Sequence, residues 1–284
     1  MNIGTPSPFT FYLCVFTLKY MELIKKLRER TGAGMVDCKQ ALDEANGDLE
    51  KAVEILRKKG IAKAAKREGR ETSQGLVKVA VNAENTKGYV LELNSETDFV
   101  ARNSDFQAFG EKVMALIQEK EPVDLEALLA LPLADGTVKD ALDHLSGVIG
   151  EKLGIKRFAI LSGATVGAYS HAGGSIGVLV SLDQPGQAEL AREVAMQVAA
   201  SNPRCVAPED VPAEELEKEK EVYREQLKKE GKPEEMIEKI LMGKVNKYYE
   251  EVCLLKQEYI KDDKQKIEQI LKGAKIGKFI RFSL

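Results

Sequence analysis

The chain has no tryptophan and only two histidines, His144 and His171, among 284 residues. Aromatics make up 6% of it, so an aromatic placed among polar residues stands out as a contact candidate. The four cysteines, Cys14, Cys38, Cys205 and Cys253, lie far apart in sequence and form no CxxC pair. Zinc sites draw on closely spaced Cys and His, so no metal is expected and the thiols read as reduced. There is no HExxH, GxxxxGKS/T or GxGxxG pattern. Ser170 and His171 are adjacent, but neighbours on a strand point to opposite faces and cannot form a dyad. His144, beside Asp143 on a helix, reads as an exposed polar residue. These absences predict a protein that is not an enzyme, with no cofactor and no direct nucleotide binding.

Strong net charge is also lacking. The formal charge is −3 and the pI about 5.7, which argues against a general binder of nucleic acid or anionic membrane. The mostly apolar stretch Phe9 to Leu18 is too short to span a bilayer. The first eighteen residues carry no Lys or Arg and no Ala-x-Ala follows, so a secretory signal is not indicated. Residues 1–20 are expected to be an extension, either disordered or read from an upstream start, with the native chain opening at Met21. A cytoplasmic protein is expected.

What is present begins with three short helices over residues 21–60. Leu23, Ile24 and Leu27 form one apolar stripe, Cys38, Ala41, Leu42 and Ala45 a second, and Leu49, Ala52, Val53 and Leu56 a third. Gly32 and Gly34 break the first helix, Asp48 caps the third, and Gly60 ends it. Residues 61–74 form a basic linker. With Arg57, Lys58 and Lys59 it reads either as an RNA contact or as a solvated helix end; no aromatics interleave with the charges for base stacking.

A weak internal repeat follows. Strand, turn, strand and helix run through Gly75–Val81, Asn82–Lys87, Gly88–Leu93 and a helix carrying Phe106, Phe109, Val113, Met114 and Ile117, started by a Ser104/Gln107 capping box. The same order recurs from Gly167 through a Gly173-Gly174 turn to Gly177–Leu182 and a helix with Leu190, Val194 and Val198. Residues 123–154 read as helical, and Arg157–Leu161 as a returning strand. The fold class is α+β, with two repeated subdomains (75–161, and 162–211 with 273–284), each with an antiparallel sheet. Residues 212–272 are densely charged with narrow apolar seams, an inserted antiparallel helical hairpin of coiled-coil type. The final segment, Lys278–Leu284, alternates and rejoins a sheet.

One loop breaks the pattern. Asn94-Ser-Glu-Thr-Asp-Phe-Val-Ala-Arg102 puts Thr97 and Asp98 directly before Phe99 and Val100. One reading is structural: Ser95 and Asp98 form a capping box and Phe99 packs inward. The other is an exposed aromatic on a loop held by a rigid scaffold.

Thr31-Gly-Ala-Gly-Met-Val-Asp-Cys-Lys-Gln-Ala-Leu42, with Glu44-Ala-Asn-Gly-Asp48 after it, resembles the N-terminal signature of the elongation factor Ts family. Thr97-Asp-Phe-Val-Ala-Arg102 resembles its second signature. Ala195–Pro203 and Phe279-Ile-Arg-Phe282 are similar to further family segments, so the resemblance runs from about Met21 to Phe282. It implies a three-helix module of ubiquitin-associated type. It implies a guanine-nucleotide exchange factor in translation that binds GDP-bound elongation factor Tu, displaces its Mg²⁺ and promotes GDP release. Thr97, Asp98, Phe99 and Val100 match the segment that displaces the ion. Lys25, Met35 and Val36 match docking positions, and His171 matches a docking histidine. The family often has His where this chain has Gln197. A ribosome- or RNA-associated adaptor is the alternative reading.

Overall fold

The computed structural model describes residues 8–67 and 69–284. Two compact units emerge. The first comprises Met1–Gly75, Asn94–Val113 and Pro122–Gly154, and the second Leu76–Leu93, Met114–Glu121 and Ile155–Leu284.

In the first unit, α1 (Pro8–Thr31), α2 (Met35–Glu44) and α3 (Leu49–Ala65) close on a small core of Ile24, Leu27, Cys38, Ala41, Leu42, Ala52 and Leu56. All three predicted stripes meet there. Helix α1 starts at Pro8, well before Met21. The prediction for residues 1–20 falls partly on residues 1–7, which lie outside the described residues. Helix α1 stops where Gly32 takes a positive φ of 67°. Asp48 caps α3 as expected, its Oδ1 accepting from the Glu50 and Lys51 amides at 3.0 and 3.2 Å.

Gly60 does not end α3, which runs on to Ala65. The reason is packing. A Cβ on Gly147 would sit 2.9 Å from the Gly60 Cα, so the two glycines let α3 cross α7 (Val138–Ile149) at close range. Gly60 is thus an interior contact, and the helix tolerates its weak propensity. Residues 123–154 are not all helical. Helix α6 (Leu125–Ala130) and α7 flank a small hairpin, β3 (Pro132–Leu133) with β4 (Gly136–Thr137). The hairpin ends in a true capping box, Thr137 with Asp140. His144 is half-buried, its Nε2 2.9 Å from the Thr31 carbonyl oxygen, so it ties α7 to the end of α1.

The repeat predicted from the sequence appears as two three-stranded sheets. β1 (Gln74–Val81), β2 (Lys87–Ser95) and β5 (Leu153–Ser162) form one, with β2 central. β6 (Thr165–His171), β7 (Ile176–Leu182) and β10 (Ile276–Ser283) form the other, with β7 central and antiparallel to both neighbours. In both, the second strand of the hairpin is central and a later strand closes the far side. Val77, Val90, Leu161, Val166, Leu179 and Phe282 make one shared core in the second unit, so the sheets pack on each other. The contact is close enough to need glycine: a Cβ on Gly177 would lie 2.5 Å from Val77 Cγ1.

Helix α5 (Ser104–Lys120) buries Phe106, Phe109, Val113, Met114 and Ile117 as predicted. Its cap is Asn103, whose Oδ1 accepts from the Asp105 and Phe106 amides, and not Ser104 with Gln107. Helix α8 (Ala188–Ser201) packs on β6 and β7, burying Ala191, Val194, Ala195 and Val198.

The charged segment forms α9 (Ala213–Lys229) and α10 (Glu234–Val252), an antiparallel pair with Leu227, Ile237, Leu241 and Tyr248 buried. Tyr248 points inward, and its hydroxyl donates to Glu215 at 2.6 Å. A short tail follows: β8 (Glu258–Tyr259), β9 (Asp262–Lys266) and α11 (Ile267–Ile270). Among the described residues no helix is long and apolar enough to cross a membrane, and no His, Cys, Asp and Glu cluster could hold a metal.

Candidate functional site: an exposed aromatic on a clamped turn

The segment after β2 turns sharply into α4 (Asp98–Ala101), a single helical turn. Thr97 is its N-cap by backbone geometry, with φ −125° and ψ 158°, yet its side chain does not cap α4. The Thr97 hydroxyl donates to Glu151 Oε1 at 2.8 Å, and the Thr97 amide donates to Glu151 Oε2 at 3.0 Å. One residue away the pairing is reversed. The Lys152 amide donates to Glu96 Oε1 at 2.5 Å. Adjacent glutamates on two chain segments therefore each hold the other segment's backbone.

Arg70 completes the clasp. Its guanidinium donates to both Glu96 oxygens at 3.1 and 3.3 Å, and its carbonyl accepts from Lys152 Nζ at 2.8 Å. The Lys152 amide, the largest influence, together with the Arg70 guanidinium holds the Glu96 carboxyl below the usual carboxylate range, against the opposing effect of burial. Ser95 adds a local tie, its hydroxyl donating to the Thr97 carbonyl at 2.9 Å. The predicted Ser95/Asp98 capping box is absent. Asp98 pairs with Arg102 at 3.1 Å, four residues on.

The turn points its two apolar residues in opposite directions. Val100 is buried at 6% exposure and anchors α4 from below, whereas Phe99 is 78% exposed. Successive helical positions diverge by roughly 100°, so one can be anchor and the next can be presented. Of the two readings of Phe99, inward packing fails. Exposing a phenylalanine this far forgoes about 1.5–3 kcal/mol of burial, a cost that folding alone does not explain.

The other residues singled out from the sequence are also at the surface. In the first unit, Lys25 on α1 has a side chain 78% exposed, 3.8 Å from Glu29. Met35 and Val36 open α2 at 54% and 70% exposure, two adjacent apolar side chains left outside the three-helix core. His171 lies in the second unit, exposed at the end of β6, with the Tyr169 hydroxyl 3.0 Å from its Nδ1.

Gln197 is different. It is 1% exposed and its amide is fully used inside the second unit. Nε2 donates to Glu258 O at 3.1 Å and to Ser201 Oγ and Gln257 Oε1 at 3.3 Å, while Oε1 accepts from the Ile260 amide at 2.9 Å. It fastens the tail after α10 to α8 and faces no solvent.

Four cations of the basic stretch are paired within the chain. Arg57 pairs with Asp140 at 3.0 Å, Lys59 with Glu44 at 2.6 Å, and Arg70 with Glu96; Arg67 donates to the Ser146 carbonyl at 3.1 Å. An RNA-binding strip needs its cations facing outward.

Sequence reasoning missed Glu96 and Glu151. The one signal for Glu151 was its place after Gly150, which ends α7 at φ 89°. Nothing in residue spacing foretold that it would meet Thr97, 54 positions away.

Comparison with known proteins bears on what this surface serves. The family model described as Elongation factor TS matches residues 96–284. The chain belongs to the elongation factor Ts family. Elongation factor Ts of Prosthecochloris aestuarii is 44% identical over 278 residues, covering 92% of this chain and 96% of that protein. Elongation factor Ts of Alkalilimnicola ehrlichii is 46% identical, covering 92% of this chain and 90% of that protein. That of Clostridium perfringens strain SM101 is 46% identical, with 91% and 90% covered. Family membership makes the chain a translation elongation factor, acting in protein biosynthesis. The turn carrying Phe99 lies inside the matched span.

Proposed function

We propose that this chain is the guanine-nucleotide exchange factor of elongation factor Tu, and that it works by presenting Phe99 as a wedge. The observation that carries the reading is Phe99 itself: a large apolar side chain, 78% exposed, on a turn that two glutamates and a buried valine hold rigid.

The physics needs no chemistry from this chain. In a GTPase, Mg²⁺ and nucleotide bind together because the ion offsets the phosphate charges. A partner that binds the nucleotide-free form more tightly must weaken nucleotide binding by the same factor. Phe99 supplies apolar area for insertion between elements of the GTPase. Asp98, ion-paired to Arg102, brings a negative charge to the same place and competes for the surroundings of the Mg²⁺. Thr97 and Val100 fix the turn. Lys25, Met35 and Val36 form a docking surface on the three-helix module, and His171 a contact from the second unit. The chain itself is not an enzyme and binds no nucleotide, nucleic acid or membrane.

The adaptor reading fares worse, because Arg57, Lys59, Arg67 and Arg70 are tied to partners within the chain. The test is release of a fluorescent GDP analogue from elongation factor Tu, followed by stopped flow. Phe99→Ala should leave the fold intact and slow release strongly; an unchanged rate refutes the wedge.

A further inference from the structure

Cys205 and Cys253 are 48 residues apart in sequence, and their Sγ atoms lie 3.4 Å apart. The contact is built by the backbone. The two residues face each other across an isolated parallel β-bridge. Around it the Arg204 and Cys205 amides donate to the Val252 carbonyl at 2.9 and 3.2 Å. The Leu254 and Leu255 amides return to the Cys205 and Val206 carbonyls, each at 3.0 Å. Helices α9 and α10 lie wholly between the two cysteines, so this pair closes the stem of the helical insertion.

We propose that Cys205 and Cys253 form a reversible redox site, oxidised by a small disulfide to an intramolecular crosslink that staples the base of the α9–α10 hairpin. Paired backbone at the bridge sets the Cα atoms within the span a disulfide needs, and the sulfurs already touch, so closure asks for rotation of side chains and little else. Both thiols are free in the structure. Two other chemistries are disfavoured. A metal site would need further ligands, and among the described residues no such cluster exists. A purely inert buried thiol would not require a second one at contact distance.

The chemistry balances with glutathione disulfide as the oxidant. Cys205 is only half-buried whereas Cys253 is fully enclosed, so Cys205 is the entry point. Its thiolate attacks one glutathione sulfur, forming a mixed disulfide and releasing one glutathione thiolate. Cys253 then gives up its proton and attacks the Cys205 sulfur, releasing the second glutathione. Two protein thiols are oxidised and one glutathione disulfide is reduced to two thiols. Burial pushes the Cys205 thiol above its usual range. The Cys253 thiol is pushed up to about 12, by burial first and then by its neighbour. The thiolate is the reacting form, so the reaction is slow at neutral pH and accelerates as pH rises. Once formed, the crosslink fixes the stem of the insertion against local opening.

The experiment incubates the full chain with glutathione disulfide at increasing pH and reads intact mass without reductant. The expected product is a monomer lighter by two hydrogens. It yields a non-reduced peptide joining Cys205 to Cys253, and dithiothreitol reverses it. Protection of the α9–α10 stem from hydrogen exchange should rise on oxidation, and Cys205→Ser should abolish both changes. A stable glutathione adduct on Cys205, a crosslink through Cys38 or between two chains, or no change with pH each overturns the proposal.

Discussion

Glu151 grips Thr97 twice, accepting its amide at 3.0 Å and its hydroxyl at 2.8 Å. That double contact sets where α4 begins, and so where Phe99 points. It gives Glu151 a positioning role without any need to touch a partner. Hydrogen bonds to a charged group contribute about 1.5–3 kcal/mol. Glu151→Ala should therefore loosen the turn and slow elongation-factor-Tu-bound GDP release by roughly tenfold, the equivalent of about 1.4 kcal/mol. Glu151→Gln, which still accepts one of the two bonds, should recover part of the rate. Hydrogen exchange at the Thr97–Ala101 amides checks the cause: protection falls in the Ala variant and the rest of the chain is unchanged.

Glu92 tests the second unit. Its side chain is 0% exposed, on the central strand β2, with Lys156 Nζ at 2.8 Å and Arg157 Nε at 2.6 Å from strand β5. Burial alone would raise its carboxyl, but the Lys156 and Arg157 hydrogen bonds outweigh it and hold the group below the usual range. A carboxyl that binds its proton less readily when folded stabilises the fold above its unfolded value, about pH 4.3. That contribution is lost as pH falls from there toward the folded value. Urea unfolding across this window should show wild type losing more stability than Glu92→Gln. At neutral pH Glu92→Gln should cost about 1–3 kcal/mol, since both cations are partly exposed and return to water.

Gln197 should matter for stability and not for exchange. Gln197→Ala strands the Ile260 amide and should lower stability by about 1–3 kcal/mol. The folded variant should promote GDP release from elongation factor Tu at the wild-type rate, because the side chain is enclosed between α8 and the tail. Thermal melts and stopped-flow release on the same preparation separate the two effects. A variant that melts normally but exchanges slowly would place Gln197 in the partner contact instead.

The elements that could be read from sequence are those whose cause is local. The apolar stripes of α2, α5 and α8 follow from 3.6-residue periodicity, and the strands from alternation. Phe279 to Phe282 could be placed as a closing strand because it alternates, and it does pair with β7. What escaped is what two distant segments do together. Gly60 looks like a helix stop until Gly147 is seen against it. Cys205 and Cys253 look unrelated along the chain, and only the stem of the hairpin makes them neighbours. At the site, Thr97 to Val100 stood out because an aromatic followed polar residues. The clasp of Glu96, Glu151 and Arg70 that aims Phe99 left no such trace. The exposure of Phe99 itself could be read two ways until the structure placed Val100 beneath it.

Under the proposed exchange function, the chain would accelerate nucleotide release only by preferring the nucleotide-free GTPase. The direct test is calorimetric titration of this chain into elongation factor Tu, once nucleotide-free and once loaded with Mg²⁺ and GDP. The predicted result is tighter binding to the nucleotide-free form, by the same factor through which this chain weakens GDP affinity, with Phe99→Ala reducing that factor. Equal affinity for the two forms would contradict it.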